Sequence, residues 1–329
     1  MNNQTDMVKQ LIASGADVNV QNEFKDTALG WAVKNNNTNM VQLLLDNDAD
    51  VNIVNVAATT ALITAAAYTN NSFLVSLLIE HGANVNAKNN KDNTALLEAA
   101  YNNNTAMAQI LIENGADVNA KGFDSNTALI LAARHGNLEM TSFLLGNGAN
   151  VNAQNIFDNT ALCVAADANN TAVAKLLIEN DAEVNLIGEF HHTALAPAAI
   201  HGNIELVKLL LDKGADVNIL GTKNNTALIY ASLNGNIETA KLLLEYGADV
   251  NAQNYLKFTS LIYAVINNST EMVELLIDNQ ADVNVRDASC YSALNRALGK
   301  GYKAVAEILI GNGASQSEDT ECLENIVNR

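Results

Sequence analysis

Three histidines form the nearest thing to a reactive cluster in this chain: His191 and His192 lie just before Thr193, and His201 ends the helical stretch that follows. All three could face one side, but a metal site needs three or four ligands in fixed geometry. They are better read as imidazoles presented to solvent or to a partner, and no metal site is assigned. Asp46-Asn47-Asp48-Ala49-Asp50 resembles the opening of a calcium loop, yet Val51 stands where the loop needs Gly, and Ala57 where it needs the closing Glu. No Walker A motif, Gly-x-Ser-x-Gly or His-Glu-x-x-His occurs. With no nucleophile and base to place together, no catalytic residue and no cofactor are assigned, and an enzyme in its own right is the least favoured class.

What must position any site is a repeat. Thr-Ala-Leu begins at Thr27, Thr60, Thr94, Thr127, Thr160, Thr193 and Thr226, continues as Thr259-Ser260-Leu261 and ends as Ser292-Ala293-Leu294. The starts are 33 residues apart except from Thr60 to Thr94, which is 34, with the extra residue between Ala67 and Phe73. So strict a period makes the repeat, not the chain, the unit of explanation. In the copy at Thr127 the hydroxyl precedes an apolar run and can cap a first helix. Gly136 permits the turn back, and Leu138–Leu145 has the apolar spacing of a second helix. Gly148 then reads as a left-handed helix cap. The same Gly recurs at Gly15, Gly82, Gly115, Gly214, Gly247 and Gly313, but Asp48, Asp181 and Gln280 replace it elsewhere. Gln280 is the one expected to be strained. Pro197, the only proline, removes a helical N–H four residues after Thr193 and predicts a local irregularity.

Composition agrees with thin helical layers: hydrophobic residues are 49% and aromatics only 5%, so Ala, Leu, Ile and Val must build the core. The net charge of −18 and a pI near 4.5 disfavour nucleic acid and anionic membrane surfaces and point to a basic partner. Three separated cysteines and no apolar leader or span imply a soluble, reduced, cytoplasmic protein.

Thr-Ala-Leu-x-x-Ala-Ala, Gly-Asn after the first helix, Leu-Leu-Leu or Leu-Leu-Ile in the second and Gly-Ala-Asp-Val-Asn together resemble the ankyrin repeat family along nearly the entire chain. The family's usual Thr-Pro-Leu-His is Thr-Ala-Leu-x here, a change that spares the fold because Ala is a good helix former. The resemblance implies an all-α repeat fold, an ankyrin-type solenoid of stacked helix pairs joined by β-hairpin-like fingers. Residues 1–21 read as a partial N-terminal repeat and 22–315 as nine repeats. Residues 316–329 read as a capping helix using Leu323, Ile326 and Val327. The half repeat at the start is either a cap or the continuation of a longer protein.

The seven-residue connections between Val-Asn and the Thr position hold five of the seven phenylalanines: Phe24, Phe123, Phe157, Phe190 and Phe258. Tyr255 and Tyr291 lie there too, and large rings in polar connections have no core of their own to enter. In the family these connections are fingers that line a concave surface with the first helices, where partners bind. By that resemblance the surface includes Tyr68, Tyr101, Arg134, His135, Asp167, His191, His201 and Leu233. Aromatics and Arg commonly dominate binding energy, although each Phe could equally pack on the next finger and stiffen it. The expected function is a monomeric, non-catalytic module binding another protein. The recognition domain of a larger enzyme or host-directed effector, and a self-associating structural scaffold, stay open as alternatives.

Overall fold

The computed structural model describes residues 2–189 and 192–315. The expected sites Phe190 and His191, and the expected capping helix 316–329, lie outside the described residues. The chain divides into two compact units, residues 1–157 and 158–329.

The first unit opens with α1 (Asn2–Ala13), followed by four helix pairs: α2 (Ala28–Lys34) with α3 (Thr38–Leu45), α4 (Ala61–Tyr68) with α5 (Ser72–Glu80), α6 (Ala95–Tyr101) with α7 (Thr105–Glu113), and α8 (Ala128–Arg134) with α9 (Leu138–Gly146). The second unit has five: α10 (Ala161–Asp167) with α11 (Thr171–Glu179), α12 (Leu195–His201) with α13 (Ile204–Asp212), α14 (Ala227–Asn234) with α15 (Ile237–Glu245), α16 (Ser260–Ile266) with α17 (Thr270–Asp278), and α18 (Ala293–Lys300) with α19 (Lys303–Gly311). Within each unit the first helices of successive pairs pack on one another, and so do second helices, forming two layers. This is the all-α repeat solenoid that the period predicts.

Side-chain size explains the layering. The first helices meet through small residues such as Ala65, Ala99, Ala132 and Ala165, all fully buried, which lets adjacent backbones approach closely. The second helices supply Leu44, Leu78, Leu111, Leu177 and Leu210 between the layers. Neither helix of a pair is long enough to stand alone, so burial between neighbours supplies the stability.

The Thr caps form as the sequence predicts. Thr27 Oγ1 accepts from the Gly30 amide at 3.1 Å, and the hydroxyls of Thr60, Thr94, Thr127, Thr160, Thr226, Thr259 and Ser292 accept from the third residue beyond. Thr193 is the exception. There the helix begins a residue late, after Ala194 in a right-handed helical conformation, and has no side-chain cap. Ala196 N donates to Thr193 O at 3.3 Å, a tighter i to i+3 bond than the α-helical one. Pro197 has no N–H to return to Thr193 O, which accounts for the irregularity.

The inserted residue of the second pair also has a visible effect. First helices elsewhere turn back through a left-handed Asn or Gly, such as Asn36, Asn103, Gly136 and Gly202. After α4 the cap is Thr69 with φ −122° and ψ 153°, so an extended step replaces the left-handed one.

At the ends of the second helices Gly82, Gly115, Gly148, Gly214, Gly247 and Gly313 have φ between 83° and 87°, while Asp48 and Asp181 are held at 63° and Gln280 at 68°. Asp tolerates that region better than Gln, whose side chain gives the backbone no local hydrogen bond. Gln280→Gly is therefore expected to stabilise the second unit by about 0.5–1 kcal/mol. Thermal unfolding followed by circular dichroism would show the rise, and an unchanged or lower Tm would contradict it.

Cys163, in α10, is a free, buried thiol, and burial pushes its ionisation above the ordinary range. Cys290 is buried in the last finger. No described helix is long and apolar enough to cross a membrane.

Candidate functional site

Among the described residues, most connections are short fingers with a backbone bond across the tip. Asn22 N donates to Asp26 O at 3.1 Å, Asn89 N to Asn93 O at 3.0 Å, Gly122 N to Asn126 O at 3.0 Å and Asp287 N to Tyr291 O at 3.0 Å. The fingers are hairpin-like turns rather than paired strands: the described residues contain no strand, only an isolated bridge between Arg286 and Ser292. Two chemistries hold the tips. In most fingers an Asn side chain accepts from amides two and four residues on, as Asn55 Oδ1 does from Ala57 and Thr59 and Asn254 Oδ1 does from Leu256 and Phe258. Where Gly122 or Gly188 replaces that Asn, the acceptor comes from the preceding repeat. Asn93 Oδ1 takes the Phe123 amide and Asn159 Oδ1 the Glu189 amide, each at 2.9 Å.

Successive fingers are also joined within each unit. Val56 N donates to Phe24 O at 3.0 Å, Asn90 N to Ala57 O at 2.9 Å, Tyr255 N to Lys223 O at 2.9 Å and Ala288 N to Leu256 O at 2.9 Å. At the finger bases Asn side chains bridge repeats, as when Asn19 Oδ1 accepts Asp50 N and Asn218 Oδ1 accepts Asp249 N, both at 2.8 Å. The fingers are thus a positioned platform, not a row of independent loops.

In the first unit that platform gathers several of the expected residues. Tyr68, Tyr101, Phe123 and Arg134 line one groove of about 550 Å³ together with Lys91 and Glu98. Tyr68, Tyr101 and Phe123 are 68%, 58% and 56% exposed. Tyr101 meets His135 edge to face at 5.2 Å between centroids. Lys34 Nζ lies 5.3 Å from the Trp31 ring centroid and 5.6 Å from that of Tyr68, and Lys91 Nζ lies 5.8 Å from that of Phe123. Phe24 and Phe157 are also exposed, but they do not line the groove.

In the second unit, Lys223 lies against Tyr255, and Arg296 lies between Phe258 and Tyr291. Lys223 Nζ lies 5.6 Å from the Tyr255 centroid, and Arg296 Cζ lies 4.6 Å and 5.8 Å from those of Phe258 and Tyr291. Tyr255 and Tyr291 are exposed, whereas Phe258 is half-buried and packs edge to face on Tyr263. Asp167, His201 and Leu233 are exposed at first-helix ends. The His201 ring bonds the Asp167 carbonyl through Nε2 at 2.8 Å, and the Leu233 carbonyl accepts from Asn267 Nδ2 at 2.8 Å. His192, read from sequence only as one of a trio, has its Nε2 2.9 Å from the Tyr230 hydroxyl. No group of three His, Cys, Asp or Glu able to hold a metal occurs among the described residues.

Sequence reasoning missed Trp31, Tyr230, Tyr263 and Arg296. All stand four residues after the capping Thr or Ser, one helical turn before the positions it did find. Residues three or four apart share a helix face, so aligning the repeats column by column would have exposed them.

Two layers of short helices, joined by fingers that present rings and cations, define a helical repeat protein built from many small equivalent parts. Family models for ankyrin repeats match residues 1–89, 47–122, 96–188, 162–254 and 243–297. The chain belongs to the ankyrin repeat family. No curated protein matches it closely enough to count as a relative.

Proposed function

We propose that the chain is a non-catalytic recognition module, with repeats spanning residues 22–315, and that a partner protein docks on its finger and first-helix faces. Ankyrin repeats are generally protein–protein interaction modules. The observation that carries the choice of face is the groove ringed by Tyr68, Tyr101 and Phe123. Rings more than half exposed, with a cation against them, are the kind of anchor that dominates binding energy. Phe73, 62% exposed on the second-helix layer at α5, provides the control. Capture of cell proteins by the wild-type chain is expected to survive Phe73→Ala and to be lost with Tyr68→Ala/Phe123→Ala, all three proteins melting alike. A partner retained by the groove variant and lost by the Phe73 variant would move the docking face to the other layer.

A further inference from the structure

The overall charge of −18 hides a local reversal. The connections and first helices of the last three repeats, residues 219–235, 252–268 and 285–301, contain Lys223, Lys257, Arg286, Arg296 and Lys300. Against these five cations stands one carboxylate, Asp287. Its side chain is fully buried and ion-paired with Arg296. The eight other carboxylates of residues 219–315, among them Glu238, Glu271 and Glu307, all lie on second helices or the turns after them. Bordering the face on the preceding finger, Glu189 is engaged with Asn159 Nδ2 at 3.4 Å.

The cations are placed with the rings. Lys223, Lys257 and Lys300 are exposed, and so are Tyr255 and Tyr291. Lys223 lies against Tyr255 and Arg296 between Phe258 and Tyr291, so charge and apolar surface alternate along the face. A carboxylate on this face meets an excess of exposed cations, whereas a basic group meets net repulsion. The expectation of a basic partner followed from the total charge; for this face the local charge reverses it.

We propose that the finger face of the last three repeats is a docking site for an acidic polypeptide segment, its carboxylates paired with Lys223, Lys257 and Lys300 and its apolar side chains set against Tyr255 and Tyr291. This rests on the reading of the finger faces as docking surfaces. A protein segment is favoured over single-stranded nucleic acid, which also suits rings beside cations, because the acidic second helices behind the face repel a long polyanion.

The test selects binders to the full chain from a random 12-residue peptide display library, then measures their affinities by fluorescence anisotropy. The enriched peptides are expected to be net acidic and to weaken with added salt. Lys223→Gln/Lys257→Gln/Lys300→Gln should weaken them about tenfold or more. A control on the second helices and the cap of one of them, Lys175→Gln/Lys213→Gln/Lys241→Gln, should leave them within about twofold. Basic or neutral peptides that lose binding with Tyr255→Ala/Tyr291→Ala but not with the lysine triple would overturn the acidic partner while leaving the finger face as the docking surface. Peptides indifferent to both sets of face variants would overturn the docking surface as well. Enrichment of nothing, or a thymidine 12-mer binding this face more tightly than any selected peptide, would overturn the proposal of an acidic polypeptide.

Discussion

Asp287→Ala is expected to destabilise the last repeat by about 3 kcal/mol or more, the cost of breaking a buried ion pair from one side. Asp287 Oδ1 accepts from the Ser289 and Tyr291 amides at 2.7 Å and 3.1 Å, and Oδ2 accepts from Arg296 Nε at 2.8 Å and from its Nη2. Removing the carboxylate orphans two finger amides and the guanidinium together. The neighbouring repeat shows how the same geometry works without charge. Thirty-three residues earlier the positions are Asn254 and Tyr263, with Asn254 Nδ2 donating to the Tyr263 hydroxyl at 3.1 Å. Asp287→Asn should therefore cost less than Asp287→Ala, because the Asn oxygen still accepts both amides. Asp287→Asn/Arg296→Tyr, which transplants the neighbour's pair, should be more stable than either single change. Because repeat arrays can unfold piecewise, the readout is amide hydrogen exchange in α18 and α19 alongside the global melt. A double variant no better than the sum of its parts would show that the two pairs are not interchangeable.

That comparison marks how far the sequence carries. Thr27 and its successors, the Gly at each second-helix end and the disturbance at Pro197 were legible because each depends only on neighbours in the chain. Gln280 was legible for the same reason: a position that is Gly in most copies implies a positive φ in the copy that lacks it. The finger keys were not. Asn93 holding the Phe123 amide, or Asn159 holding that of Glu189, is a bond to the next repeat, and only the stacking brings those atoms together. Charge failed differently. Summed over the chain it is strongly negative, but the two-layer fold sorts it, sending nearly all carboxylates of the last repeats to one layer and leaving Lys223, Lys257 and Lys300 on the other. The Phe residues were left between two readings, and their surroundings differ from one to the next. Phe258 packs on Tyr263 and Arg296, whereas Phe24 stays open at 64% exposure.

Gly122→Ala is the second large effect expected, about 1–3 kcal/mol of destabilisation from overpacking. A Cβ on Gly122 would fall inside contact distance of Asn93 Oδ1 and 2.5 Å from Leu97 Cδ1. Leu97 is a buried core residue of α6 and cannot swing into solvent to make room. Asn93 is no freer, since its oxygen accepts the Phe123 amide at 2.9 Å and its amide nitrogen donates to Glu98 Oε1 at 2.9 Å. The strain is therefore passed to the finger that carries Phe123, one wall of the groove. This couples stability to recognition: Gly122→Ala should lower the melting temperature and weaken any partner held by Tyr68, Tyr101 and Phe123. Substituting Asn93 as well, in Gly122→Ala/Asn93→Ala, would make space but forfeit both hydrogen bonds, so it should not restore binding. Gly148→Ala tests the alternative cause. Its Cβ would meet nothing within 4 Å, but its φ of 83° disfavours any side chain, so it should destabilise the first unit through the backbone while leaving the groove intact. If the two variants lose partner affinity equally at matched stability, the effect is general loosening of the unit, and the finger does not position Phe123 for binding.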